Sequence, residues 1–400
     1  MSQSLPNTRP YEIRRFATLE GDIWPCLVRD GLPVLLPNLW IDELSISARS
    51  NTAESYLRDI AILYEWAFDK AITLEARFRN FTGFSKLEII DISKSICKTT
   101  TKNIASKATC IRRLESLKSF VRFAFDYYIE LSKLPLSEQA QAEKICAKQL
   151  KKLRDNVQKI SNSSPDPKFS SDLSIAELEA IERVINPESE LNPFKEDRVK
   201  IRNYCIFWLA IETFVRRSEI VLVELTDLEL GQTPTVLIKR PTTTNKSKRL
   251  DGASQKTAGR VIPISLYLAQ LLADYIQHTR DQFVVPQHPS TSLFLSTRDG
   301  RRLSSTTLNQ ITKVISGQPS IRILGKRIHP HGLRATGANI LRRSVSASQK
   351  QSDIEVVEAL SYIGGWVQDS PMIRRYTRTS ISERLGEIVR SNIIYPEIRK

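Results

Sequence analysis

Two of the four histidines in this 400-residue chain, His329 and His331, stand in the stretch IHPHGLRATGANI, and Arg334 follows His331 by three residues. On a helix opening near Pro330 to Gly332, His331 and Arg334 share a face. An imidazole moves protons near neutral pH. A guanidinium is a permanently charged fork that matches two phosphate oxygens. Upstream, in ETFVRRSEIVLVELTDLEL, Arg216 follows a long apolar helix and a new helix opens at Ser218. A cation at a helix junction, near free N–H groups, suits an anion. Glu219, three residues on, can orient it. In QKTAGRVIPI, Lys256 sits in a basic connection between two strand-like pieces. A lysine on such a hairpin tip can reach over a bound phosphate and donate a proton, or simply touch a DNA backbone. In YIGGWVQDSPMIRRYTRTS, Trp366 follows two glycines and Tyr376 two arginines. That segment reads as polar, basic and turn-like, not as core. A tyrosine there can attack phosphorus where arginines lower the cost of its charge. His329 reads as a backbone or capping contact. A zinc site needs further Cys or His ligands, and none are near in sequence, so no metal is expected.

The composition bears on what the anion is. Lys and Arg number 59 against 44 for Asp and Glu, a net charge of +15, which favours a polyanionic partner, with nucleic acid the usual one. The charge is concentrated in places. Between Leu237 and Arg260 lie Lys239, Arg240, Lys246, Lys248, Arg249, Lys256 and Arg260 against one acid, Asp251. Lys144, Lys148, Lys151, Lys152, Arg154 and Lys159 outnumber the acids of an earlier helix. The five cysteines are scattered, odd in number and without a CxxC pair. That suits a reducing cytoplasm and argues against a disulfide framework or zinc finger. The N-terminal MSQSLPNTRPYEIRRF has no apolar run behind its charges, and no stretch approaches the ~18 apolar residues of a membrane span. An intracellular, cytoplasmic protein is expected.

The elements that must position these groups are mostly helical. Residues 1–44 are Pro-rich and irregular, an N-terminal arm or extension with at most a short strand. From about 51, Ala53, Leu57, Ile60, Tyr64 and Ala67 recur at helical spacing; Ile111, Leu114, Val121, Phe125 and Tyr128 do so on a second helix. A third runs over 137–159. Residues 45–160 therefore read as a helical bundle with basic faces. The Ser-, Pro- and Asp-rich stretch at 161–173 reads as a linker. Ser174 to Glu177 then forms a capping box that opens a second domain, 174–400. Its helices are expected at 174–185, 195–213, 265–280, 304–316, 334–348, 354–362 and 380–392, with strands at 235–240 and 259–264.

Taken in order, Arg216, Lys256, His331 with Arg334, and Trp366 with Tyr376 form a set that resembles the tyrosine recombinase (phage integrase) family. TFVRRSEIVLVELTD is similar to that family's first box, Thr-Gly-Leu-Arg-x-Ser-Glu followed by Leu and Asp. HGLRATGA is similar to its His-x-Leu-Arg-His-Thr box, and GGWVQDSPMIRRYTR to its Gly-His/Trp box leading to the tyrosine. Phe214 stands where Gly is usual, Ala335 where His is common, and Trp366 where His is common. The resemblance is specific over 174–400 and general over 45–160.

This resemblance implies a mainly α fold with a small β-sheet (α+β), its helical core-binding domain and mixed catalytic domain forming a clamp around DNA. It implies a site-specific recombinase of integrase or transposase type, acting through a 3′-phosphotyrosyl intermediate with Tyr376 as nucleophile. Arg216 and Arg334 would bracket the phosphate, and Lys256, or Lys246 or Lys248 on the same hairpin, would protonate the leaving oxygen. His331 would assist proton transfer, and Trp366 would pack on or hydrogen-bond to the phosphate site. Lys239, Arg240, Lys246, Lys248, Arg249, Arg260, Lys151 and Lys152 are expected on DNA. No cofactor is implied, no acidic grouping stands out to hold magnesium, and no Walker motif occurs. The implied partners are duplex DNA at specific sites, a homo-tetramer on two such sites, and in some cases partner recombinases or DNA-bending proteins. The alternative is a catalytically inactive DNA-binding protein of the same fold.

Overall fold

A computed structural model describes residues 10–19, 23–46, 49–99, 103–164, 172–239, 259–347, 353–367 and 370–383. The chain divides into two compact units, one built on the described residues up to 164 and one on those from 172. Each has its own apolar core.

The first unit begins with an antiparallel hairpin, β1 (Tyr11–Ala17) and β2 (Ile23–Arg29), extended by β3 (Leu32–Pro33). Helices α1 (Leu35–Glu43), α2 (Ser50–Asp69), α3 (Leu74–Arg79), α4 (Lys86–Cys97), α5 (Lys107–Ser132) and α6 (Leu136–Ser161) follow. The apolar stripe of α2 is buried as its spacing predicts. On α5, Leu114, Val121, Phe125 and Tyr128 are buried, whereas Ile111 is turned outward and Cys110 takes the inner place. The segment 10–46 is not a detached arm. Leu27, Leu36, Trp40 and Ile41 belong to the bundle core, and Trp40 meets Phe120 edge to face. Pro33 ends β3 and Pro37 lies in the first turn of α1, places that need no backbone donor, while Pro25 stands inside β2 opposite Arg15. Lys151 and Lys152 lie on the outer face of α6.

The second unit starts with the expected capping box. Ser174 Oγ accepts from the Glu177 amide at 3.3 Å, and the Ser174 amide donates to Glu177 Oε2 at 2.7 Å. It opens α7 (Ile175–Ile185), which is followed by α8 (Asp197–Thr213) and α9 (Arg217–Leu222). A small antiparallel sheet comprises β4 (Leu228–Glu229), β5 (Thr235–Ile238) and β6 (Arg260–Pro263), with Ile238 opposite Arg260. Then come α10 (Leu266–Asp274), α11 (Ser305–Ser316), α12 (Pro319–Arg322), α13 (Pro330–Ala347), α14 (Asp353–Gly364) and α15 (Pro371–Tyr376). The fold is mainly α with small sheets. Helix α13 crosses α8 closely because Gly337 has no side chain; a Cβ there would lie 2.0 Å from the Ile211 carbonyl oxygen. A separate apolar cluster gathers Ala335, Ala338, Val356, Leu360, Trp366, Ile373 and Tyr376 around Phe214. Among the described residues no helix is long and apolar enough to cross a membrane. The helix expected at 380–392 lies largely outside the described residues.

Candidate active site

Four of the sequence-predicted residues converge at the start of α13. Pro330 occupies the first helical position, where a missing N–H costs nothing. His329 stands just ahead, and its Nδ1 accepts from the Gly332 amide at 2.9 Å. It therefore caps the helix, the modest role its position suggests. His331 and Arg334 then share one face. The phenolic oxygen of Tyr376 lies 2.8 Å from Nδ1 and 3.0 Å from Nε2 of His331. Contact with both nitrogens at once places the oxygen over the ring, so one in-plane lone pair must swing toward it before a proton passes; such hydrogen bonds commonly tighten only with substrate bound. Burial first, and then the charges of His329, Arg334, Arg375 and Arg216, lower the His331 pKa to about 4.

Arg334 is 2% exposed. Its Nη2 donates to the Gly364 carbonyl at 2.7 Å, while Nε and Nη1 have no hydrogen-bond partner among the described residues. The indole Nε1 of Trp366 is likewise buried and without a partner among the described residues. Buried donors without acceptors are rare, because each forfeits its hydration. Burial and, next, Arg216 lower the Arg334 pKa to about 10, so the group stays charged at neutral pH under strain that an anion would relieve. The guanidinium carbon lies 4.8 Å from the Trp366 ring centre and 5.2 Å from that of Tyr376.

Arg216 is held at the head of α9. The buried Glu219 carboxylate accepts from the Arg216 amide (2.8 Å) and from its Nη1 (3.4 Å). That is the orienting role its spacing predicts. The same carboxylate takes Arg260 Nη2 at 3.1 Å, and Arg260 Nε donates to the Ile363 carbonyl at 2.8 Å. Arg260 is thus a correction. The sequence places it among the DNA-facing cations, but it is buried and shares Glu219 with Arg216. Removing one partner from a buried pair strands the other charge. Arg260→Ala is therefore expected to lower unfolding stability by about 3 kcal/mol in denaturant titration, without changing the salt slope of DNA binding; a reduced slope would return Arg260 to the DNA surface. Lys239 is a second adjustment. It is half-exposed but engaged by Glu224 (2.5 Å) and Asp227 (3.0 Å), and Glu224 also takes Arg302 (2.5 Å). Lys239 anchors the base of the hairpin. Arg240, Lys246, Lys248, Arg249 and Lys256 lie outside the described residues.

Tyr376 differs most from its sequence reading. It ends the short helix α15 and is 5% exposed, a core residue. The serine and proline that suggest a turn instead start that helix: Ser370 Oγ caps the Met372 amide and Pro371 is at its first position. Asn339, buried on α13, was missed by sequence reasoning. Its Nδ2 donates to the Tyr376 carbonyl (2.7 Å) and its Oδ1 accepts from the Ser380 amide (3.1 Å). Thr379 Oγ1 donates to Asp172 at 2.5 Å. The available signal was an amide on the inward face of a helix otherwise lined by small residues, eight positions after His331.

The model of the phage integrase family matches residues 181–383, about half the chain, a span that includes Arg216, His331, Arg334, Trp366 and Tyr376. The chain belongs to the phage integrase family. A tyrosine recombinase of Synechococcus elongatus is 24% identical over 320 residues, spanning 77% of this chain and 83% of that protein. Among solved structures, the Tn1549 transposon integrase in complex with a circular intermediate DNA superimposes with a TM-score of 0.54 at 13% identity, covering 87% of this chain and 99% of that one. The same integrase in complex with transposon right end DNA gives 0.50 at 16% identity, covering 88% and 100%. These likenesses are of fold.

Proposed function

We propose that this protein is a site-specific DNA recombinase that cuts and rejoins duplex DNA through a tyrosine-linked intermediate. The observation that carries the reading is a hydroxyl set against an imidazole, beside buried donors that lack acceptors among the described residues: Tyr376 on His331, with Nε and Nη1 of Arg334 and Nε1 of Trp366. Tyr376 Oη attacks the phosphorus, its proton leaves by way of His331, and the P–O5′ bond breaks. Lys256, or Lys246 or Lys248 beside it, supplies the proton to the departing 5′ oxygen. Arg216 and Arg334 neutralise the charge that grows on the non-bridging oxygens, and such preorganised donors are the largest single contribution in many enzymes. The reverse attack by a 5′-hydroxyl of another strand restores the diester, so the bond energy is kept and no nucleotide is consumed. Arg240, Lys246, Lys248, Arg249, Lys151 and Lys152 meet phosphates and give salt-sensitive affinity. The working form is a homo-tetramer on two DNA sites in the cytoplasm, with or without partner recombinases or bending proteins.

DNA labelled at either side of a nick near the cleavage point tests the chemistry. The label on the 3′-phosphate side is expected to stay with the denatured protein, and the 5′ side to leave as a free hydroxyl. Binding without transfer on every site favours the inactive DNA-binding reading. The pH profile follows from His331. The free-enzyme imidazole is neutral down to about pH 4. Cleavage measured as kcat/KM is therefore expected to be level from about pH 8 to about pH 5 and to fall below that; a fall centred near pH 6.5, the ordinary histidine value, would contradict it. A bound phosphate opposes the charges of His329, Arg334, Arg375 and Arg216, so His331 becomes a stronger base once substrate is in place.

A further inference from the structure

Phe214 closes α8 with φ 34° and ψ 37°. That left-handed conformation disfavours any residue with a Cβ, and a chain keeps it only where the surroundings over-determine it. Here the surroundings are aromatic. The Phe214 ring is 1% exposed and stacks on Trp366 at 6.2 Å and 25°. Trp366 in turn stacks on Tyr376, at 5.1 Å and 23°. Among the described residues, Phe214 alone joins this cluster from outside residues 335–376. Two residues further on is Arg216.

We propose that Phe214 is a positioning residue for the nucleophile. The Phe214–Trp366–Tyr376 stack ties the helix junction that carries Arg216 to the segment that carries Tyr376, so the first arginine and the attacking oxygen keep one spacing. Near-parallel aromatic rings hold orientation as well as volume. This rests on the recombinase reading. Three roles for Phe214 make different demands. As apolar filler it is replaceable by leucine. As a backbone device it is replaceable by glycine, which relieves the positive φ. As part of a stack it is replaceable by neither.

Phe214→Leu and Phe214→Gly in the full chain separate these roles. Single-turnover formation of the covalent adduct is expected to slow about tenfold or more in both variants, with duplex affinity within about twofold of wild type. A second readout needs no DNA. Tetranitromethane modification of tyrosines, located by peptide mass spectrometry, is expected to spare Tyr376 in the wild type and to reach it several-fold faster in both variants. Exposed Tyr362 marks full reaction, and the core Tyr275 stays protected where the unit is folded. If Phe214→Leu cleaves at the wild-type rate, or Phe214→Gly does, the stack is not what positions the tyrosine and the proposal falls. If the wild type forms no adduct on any DNA, the recombinase reading fails and nitration decides alone. A gain confined to Tyr376 then upholds the stack, and unchanged protection overturns it.

Discussion

Replacing Tyr376 with phenylalanine is expected to lower covalent DNA cleavage by about 10⁴-fold or more while leaving fold and duplex affinity nearly intact. Among the described residues the hydroxyl meets only the His331 ring nitrogens. The rest of the side chain packs on Trp366 and beneath Arg334. Phenylalanine keeps those apolar contacts and loses one hydrogen bond, a change of about 1 kcal/mol in stability. Thermal unfolding and DNA titration should therefore barely move, whereas no other group stands where the phenol oxygen does. Cleavage within about tenfold of wild type would mean that another nucleophile acts. Tyr362 is the nearest tyrosine in sequence; its hydroxyl accepts from the Val261 amide at 3.2 Å.

The second large effect is at Arg334. Arg334→Lys keeps a cation but removes the planar fork, including the Nε and Nη1 donors that the described residues leave unpaired. Cleavage is expected to fall by about 10²–10³, the usual cost of one oxyanion-stabilising donor, with DNA affinity reduced by less than about tenfold, since phosphate contacts are spread over many cations. The folded protein should tolerate the change. Burial and the nearby Arg216 already press the Arg334 pKa down to about 10, so the guanidinium is held against its electrostatic preference. An equal loss in affinity and cleavage would make Arg334 a plain DNA contact. A loss only in cleavage assigns it to the transition state.

The parts of the site legible in the sequence are those made within one turn of helix. His331 and Arg334, Arg216 and Glu219, and Ser174 and Glu177 each lie three apart, and each pair falls on one face as that spacing requires. The buried stripe of α2 was readable for the same reason. What was not readable depends on partners far along the chain. Arg260 looks like one more cation in a basic stretch until Glu219, 41 residues earlier, neutralises it in the interior. Lys239 looks free until Glu224 and Asp227 reach it. Tyr376 looks exposed because its neighbours are arginines, yet a helix of six residues turns the arginines out and the ring in. Phe214 does not by its identity favour the positive φ it adopts; the pointer in the sequence is that it stands where the resembled family usually has Gly. The hairpin over residues 11–29 was obscured by Pro25 within its second strand, and its core contacts, Leu27 among them, fit no period long enough to recognise.

The most direct test is to find where the DNA is attached. Wild-type protein is trapped on a nicked substrate and digested with protease and nuclease, and the phosphonucleotide-bearing peptide is sequenced by mass spectrometry. The predicted result is a single modified residue, Tyr376, joined through a 3′-phosphate. Attachment at any other residue, or tight duplex binding with no attached nucleotide on any site, would contradict the assignment of Tyr376 as the nucleophile of a DNA recombinase.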